Sequence, residues 1–124
     1  MDYSIAIETW NDETNEFIPV DKLCGHSSVN VTISKKSGCY VVFSVDAGDY
    51  DKLQVLKRNF EDDTSTVVRM DFSGRGGCSY NSISVMKGIV NIKTAHSDGK
   101  SILVSQMVLP RDVSIELIDK LTQT

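Results

Sequence analysis

Alternation of apolar and polar residues over positions 28–45 constrains the fold of this chain more than any other feature. In SVNVTIS (28–34) an apolar side chain falls at every second position, and CYVVFSV (39–45) repeats the pattern. Successive side chains of a β-strand point to opposite faces, so this period predicts two strands that each bury one face. Between them, KKSG ends in Gly38, which supplies the positive φ that a hairpin turn often needs. We therefore predict a β-hairpin, with Cys39 on its apolar face.

A second hairpin is predicted near the C-terminus. GIVNIKTA (88–95) and KSILVSQMVL (100–109) flank a turn that contains Asp98-Gly99, one of the strongest short turn signals. A strand with one solvated face alternates, whereas the outgoing strand is apolar on both faces. We therefore expect it to be central in its sheet, or to meet a helix or a second subunit. Its two apolar sets are Ile102, Val104 and Val108 on one face, and Leu103, Met107 and Leu109 on the other.

Further strands are predicted at 3–9, 65–72 and 82–87. The polar stretch 10–28 holds at most a short strand around Phe17–Val20, and we expect Trp10 at its start to pack on the core.

Two segments favour helices. In DYDKLQVLKRNF (49–60), Asp49 is a candidate N-cap and the apolar residues form one stripe, although a strand in which Leu53 and Val55 alternate with Gln54 is the rival interpretation. In the C-terminal RDVSIELIDKLTQT, Asp112 is the candidate cap and apolar residues recur every fourth position. Those residues are Val113, Leu117 and Leu121.

The fold class that follows is mainly β. We expect an antiparallel sheet or sandwich of about seven strands, with a C-terminal helix and, if 49–60 is helical, one short internal helix. The chain has 124 residues, of which 40% are hydrophobic and 24% charged. This length and composition suit a single β-rich domain over 1–124 that buries its own core.

Charge and cysteine usage narrow the function classes. The net charge is −4, and nucleic-acid binding is therefore not expected, because neutralising phosphates requires a concentrated basic face. Three cysteines without a C-x-x-C pair, and an N-terminus without a secretion pattern, predict a cytoplasmic protein with reduced thiols. No apolar run approaches the roughly 18 residues of a membrane helix, so no membrane association is expected.

The glycine-rich stretch FSGRGGCSY (72–80) most resembles a chemical site. It lacks the lysine and hydroxyl residue of a Walker A loop and the third glycine of a dinucleotide fingerprint, and a strand follows it where both motifs need a helix. We predict a β-turn or bulge between two strands. The alternative is an anion nest in which backbone N–H groups and a cation hold a phosphate or carboxylate. The candidate binding residues are Arg75, Gly76, Gly77 and Tyr80.

Metal and catalytic signals are weak. Cys24-Gly25-His26 is half of a zinc site without a second half, even if Cys39, Cys78 and His96 converge, so neither a metal nor a cofactor is predicted. A Cys78–His96 or Cys24–His26 pair is conceivable as a nucleophile and base, but no third orienting group is evident. We predict no catalytic residues.

The resulting hypothesis is a non-catalytic, β-rich interaction or assembly module that binds a protein partner or a second copy of itself. Small β domains with free strand edges commonly pair with partners. One alternative is a ligand- or single-stranded nucleic-acid-binding barrel that uses the 73–79 loop, and another is a small cytosolic enzyme with a Cys/His site. The predicted interface comprises Leu103, Met107, Leu109, Leu117 and Leu121.

Overall fold

Two antiparallel sheets and two helices form the fold. A computed structural model describes residues 2–74 and 77–124, and at positions 70–74 and 77–79 it describes the backbone alone. The elements of these residues, in chain order, are β1 (Tyr3–Asn11), β2 (Glu16–Pro19), β3 (Ser28–Lys35), β4 (Tyr40–Asp46), α1 (Tyr50–Glu61), β5 (Thr66–Gly74), β6 (Gly77–Met86), β7 (Ile89–Ser97), β8 (Ile102–Leu109) and α2 (Arg111–Thr122). A 3₁₀ turn, Ala47–Asp49, leads into α1.

The first four strands form an N-terminal sheet in the order β2-β1-β3-β4, and the last four form a C-terminal sheet in the order β5-β6-β7-β8. All neighbouring strands are antiparallel. The mainly β fold is therefore confirmed, and so are both predicted hairpins. The described residues contain eight strands where about seven were expected, because the short segment near Phe17 pairs with the end of β1.

One apolar core joins the two sheets and the helices. The apolar residues at every second position of β3 and β4 are buried, as the sequence pattern predicts. β4 also contacts the C-terminal sheet. The helices pack on each other, α1 also against β5 and β6, and α2 against β7. The most completely buried side chains are Leu23, Ile33, Leu53, Leu56, Ile83, Ile92, Leu109, Leu117, Leu121, Val29, Val31 and Val45.

The helix interpretation of 49–60 is confirmed, because α1 buries Leu53, Leu56 and Phe60 on one stripe.

The residues that cap the two helices differ from the predicted caps, Asp49 and Asp112. The carboxylate of Asp49 accepts a hydrogen bond from the Asp46 N–H at 3.3 Å and makes no cap bond to α1. At α2 the N-cap is Pro110, whose φ of −63° suits a helix start, so Asp112 lies in the first turn.

Ser114 is a buried polar link between α2 and the C-terminal sheet. Its Oγ accepts a hydrogen bond from the Val90 N–H at 3.1 Å. The same hydroxyl lies 2.9 Å from the carbonyl oxygen of Pro110 and 3.2 Å from that of Leu109. Because an unpaired buried donor is costly, this hydroxyl fixes where α2 starts relative to β7 and β8.

Of the alternatives expected for residues 100–109, the central position in a sheet is wrong. β8 is the last strand of the C-terminal sheet, and β7 is its one pairing partner among the described residues. Its inner face at Met107 and Leu109 is buried, which explains half of the two-sided apolar pattern. The other half is solvent-exposed on this chain.

Trp10 and Cys39 are also placed differently from the sequence predictions. Trp10 is 46% exposed and contacts its cross-strand partner Phe17 edge-on, with ring centroids 5.0 Å apart, so it does not pack on the core. Cys39 precedes the first residue of β4 and is exposed, because the hairpin turn extends one residue further than the alternation suggested.

The carboxylate of Asp98 stabilises the β7–β8 turn, and its hydrogen bonds there shift its pKa. Its Oδ1 accepts hydrogen bonds from the N–H groups of Ser101 at 2.9 Å and Lys100 at 2.8 Å, and these bonds lower the pKa of the carboxyl. Since the folded pKa lies below the unfolded one, the stabilisation is complete above the unfolded pKa and is lost as pH falls through the folded pKa. We expect the Lys100 and Ser101 amide resonances to follow this titration in NMR spectra.

The Asp98→Asn variant should lose that titration, while Asp112→Asn, on α2, should keep it. A midpoint for Asp98 at or above that of an aspartate in an unfolded peptide would contradict the turn geometry.

Candidate functional site

The N-terminal half of β8 exposes three consecutive apolar side chains. Ile102, Leu103 and Val104 are 71%, 70% and 53% exposed, although they alternate between the two faces of the sheet. Leu103 shares a face with Met107, which is 6% exposed. β8 therefore leaves the core between these two residues, and its first half projects beyond the packed layers on both faces.

A cleft of about 560 Å³ separates this half of β8 from the edge of the N-terminal sheet. Tyr40 and Val42 of β4 line one side, and Leu103 lines the other. Tyr40 is 64% exposed and Val42 is 46% exposed. We name Ile102, Leu103, Val104, Tyr40 and Val42 together the edge patch. Leu103, Tyr40 and Val42 line the cleft, whereas Ile102 and Val104 lie on the other face of β8.

The backbone of β8 adds hydrogen-bonding capacity to the edge patch. Among the residues that the structure describes, β8 pairs with a strand on one side only. Alternate N–H and C=O groups of an edge strand point away from the sheet and can bond to another strand. Residues 102–109 contain no charged residue and no proline, the two features that commonly block such pairing.

The outer face of the C-terminal sheet is a second uncovered surface. The register places Arg69, Ser82, Lys93 and Gln106 side by side across β5, β6, β7 and β8. We name these four residues the basic row. The neighbouring rows on the same face carry exposed apolar side chains. These are Tyr80 and Val104 on one side, and Val67 and Val108 on the other.

Of the five residues predicted to form an interface, Leu103 alone is exposed. The other four contact neighbours within the core of this chain: Met107, Leu109, Leu117 and Leu121.

The predicted glycine-rich site is only partly within the described residues. Arg75 and Gly76 lie outside them. Gly77 pairs with Gly74 as the last rung of the β5–β6 hairpin, and Tyr80 is 46% exposed on the outer face of the sheet.

The strand register does not place Cys78 opposite His96, the pair considered from sequence. His96 pairs with Ser79, and Cys78 pairs with Ser97. Of Cys39, Cys78 and His96, the three residues whose convergence was considered from sequence, Cys39 and His96 both line the cleft beside the edge patch. No carboxylate lines that cleft in the described part of the chain.

Comparison of this chain with protein-family models, curated proteins and solved structures found no match. Within residues 2–74 and 77–124, no group of three or more histidine, cysteine or acidic side chains is placed to hold a metal ion. The helices described here are too short or too polar to cross a membrane.

The edge patch and the basic row are the two surfaces of the described residues on which the proposals below rest. The signal for the first is present in the sequence as an uncharged strand with two apolar faces, which predicted a central strand or one that meets a helix or a second subunit. The basic row had no local signal, because Arg69 and Lys93 are far apart in sequence and meet only through β6.

Proposed function

We propose that this chain is a non-catalytic interaction module that pairs with a second copy of itself through β8. The observation that carries the proposal is the run Ile102–Val104, three consecutive exposed apolar residues on an uncharged edge strand. Such a run is unfavourable on an isolated soluble domain unless another surface covers it. Strand addition would cover it and would also pair the outward backbone groups.

The remaining strand edges are less suited to pairing. β2 is four residues long and contains Glu16 and Pro19, both of which protect an edge. β5 carries Arg69 and Asp71, and α1 contacts it. β4 contacts β5, β7 and β8 of the C-terminal sheet. This contrast favours β8 as the interaction edge.

A second copy fits β8 because the strand is self-complementary. An antiparallel pair of β8 strands centred on Ser105 places Ile102 opposite Val108 on one face and Leu103 opposite Met107 on the other, both apolar pairs. The same register places Val104 opposite Gln106. The two Lys93 side chains would lie three strand spacings apart, about 14 Å. This exceeds the screening length of about 8–10 Å in ordinary buffers, so their repulsion is small. The product is one continuous eight-stranded sheet.

Light scattering over a wide range of protein concentration tests the proposal. We expect the wild-type mass to rise toward twice that of the chain, and Leu103→Lys to remain at the mass of one chain, because a lysine on an edge strand blocks pairing. Ile115→Lys is the matched control, since Ile115 is an exposed apolar residue of α2, away from the edge patch. It should associate like the wild type.

A wild-type mass that stays at one chain at every concentration would contradict self-pairing. Equal loss of association in Leu103→Lys and Ile115→Lys would place the contact elsewhere.

A further inference from the structure

The outer face of the C-terminal sheet carries two cations, Arg69 and Lys93, that self-pairing through β8 does not use. Its basic row runs across all four strands, and a shallow recess of about 300 Å³ lies at its centre. The recess exists because small side chains on β6 and β7, Ser82 and Ala95, lie between larger neighbours. Its lining includes Val67, Arg69, Tyr80 and Lys93.

The two cations of this row have no acidic partner among the described side chains. The ion pair that the described residues form is Lys52–Asp49, at 3.9 Å on α1. Arg69 and Lys93 are both exposed and lie two strand spacings apart, about 10 Å. The charged residues that the register places on the described part of this face are Arg69, Lys93 and, in the next row, Asp71. The face therefore has a net positive charge on a chain whose net charge is −4. An anionic group of a ligand would be attracted to the position between Arg69 and Lys93.

The chemistry around the cations narrows the class of anion. An arginine guanidinium binds a carboxylate or phosphate oxygen pair through two parallel hydrogen bonds, and Ser82 offers a hydroxyl between the two cations. Exposed apolar side chains lie in the rows on either side, Tyr80 and Val104 in one and Val67 and Val108 in the other. The first of these rows also contains Asp71, and the second also contains Ser84 and Asn91. A complementary surface therefore alternates acidic with apolar side chains.

We propose that this face binds an acidic, apolar-flanked segment of a partner protein, with Arg69 and Lys93 as the anion-binding pair. A second copy placed face to face is a poorer occupant, because a two-fold axis through this face would bring the like-charged rows together. Nucleic acid is also a poorer occupant. Bases require aromatic stacking platforms, and Tyr80 is the one aromatic residue among the described side chains of this face.

Fluorescence anisotropy with labelled peptides tests the proposal. The probe is an extended peptide of alternating glutamate and leucine, compared with a serine–leucine peptide of equal length and with an oligothymidine strand. We expect the acidic peptide to bind more tightly than the other two, with an affinity that falls as salt rises. The double variant Arg69→Gln/Lys93→Gln should weaken binding by about tenfold or more, because it removes two charge-assisted contacts.

The matched control is Lys36→Gln/Lys100→Gln, which removes the same charge from exposed turns of the two sheets. It should change the affinity by less than about twofold, as expected for distant screened charges. Equal weakening by both double variants would overturn the site, since only net charge would then matter. Equal binding of the acidic and serine peptides would overturn it too, and so would tighter binding of the oligothymidine.

The measurement is repeated in the Leu103→Lys background, so that this inference and the proposed self-pairing fail separately. We expect acidic-peptide binding to persist when association is lost.

Discussion

Met107→Asp is expected to leave the chain unfolded at room temperature, whereas Val104→Asp should leave the monomer folded. The two residues belong to the same strand and differ by three positions. Met107 is 6% exposed and faces the core, while Val104 is 53% exposed and faces outward. An unpaired buried carboxylate costs several kcal/mol, which is comparable with the roughly 5–15 kcal/mol that stabilises a domain of this kind.

Circular dichroism with thermal melting checks this difference, and sizing chromatography reports association. Val104→Asp should melt close to the wild-type monomer but should not form the proposed dimer, because it introduces a charge beside the edge that we propose to pair. Lys100→Asp, in the exposed turn, is the control and should change the melting temperature little. A folded Met107→Asp would mean that the inner face of β8 is open to water.

Leu117→Ala has the next largest expected effect. Leu117 is fully buried on α2, within the core that joins the helices and the C-terminal sheet. Truncating a buried leucine costs about 2–5 kcal/mol, because apolar contacts are lost and a cavity remains. Chemical denaturation should show that loss at every protein concentration, since the contacts lie within one chain.

Ile115→Ala, on the exposed side of the same helix, is the matched control and should change the free energy of unfolding by less than about 0.5 kcal/mol. If Leu117→Ala altered the oligomeric state and left the monomer stability intact, Leu117 would be an interface residue.

Much of the fold follows from local patterns. Period-two alternation and the turn residues Gly38 and Gly99 located both hairpins, and these glycines have positive φ of 104° and 89°. The buried residues of α2 recur at the predicted spacing. These predictions succeed because side-chain period and turn chemistry act over a few residues.

The position of β8 in its sheet could not be predicted in the same way. A strand with apolar residues on both faces is expected to have both faces covered, as a central strand of a packed sheet has. Ile102 and Leu103 instead lie on an edge strand and are exposed. Which strand occupies an edge depends on tertiary topology. The basic row likewise depends on registers between three strands, so Arg69 and Lys93 become neighbours only in the folded sheet.

Amide hydrogen exchange along β8, measured in dilute and concentrated samples, tests self-pairing most directly. In an antiparallel sheet, alternate amides of β8 face β7 and the others face outward. We predict that amides facing β7 are protected at both concentrations, while the outward amides of residues 102–108 become protected only in the concentrated sample. Outward amides that exchange equally fast in both samples would contradict pairing through β8.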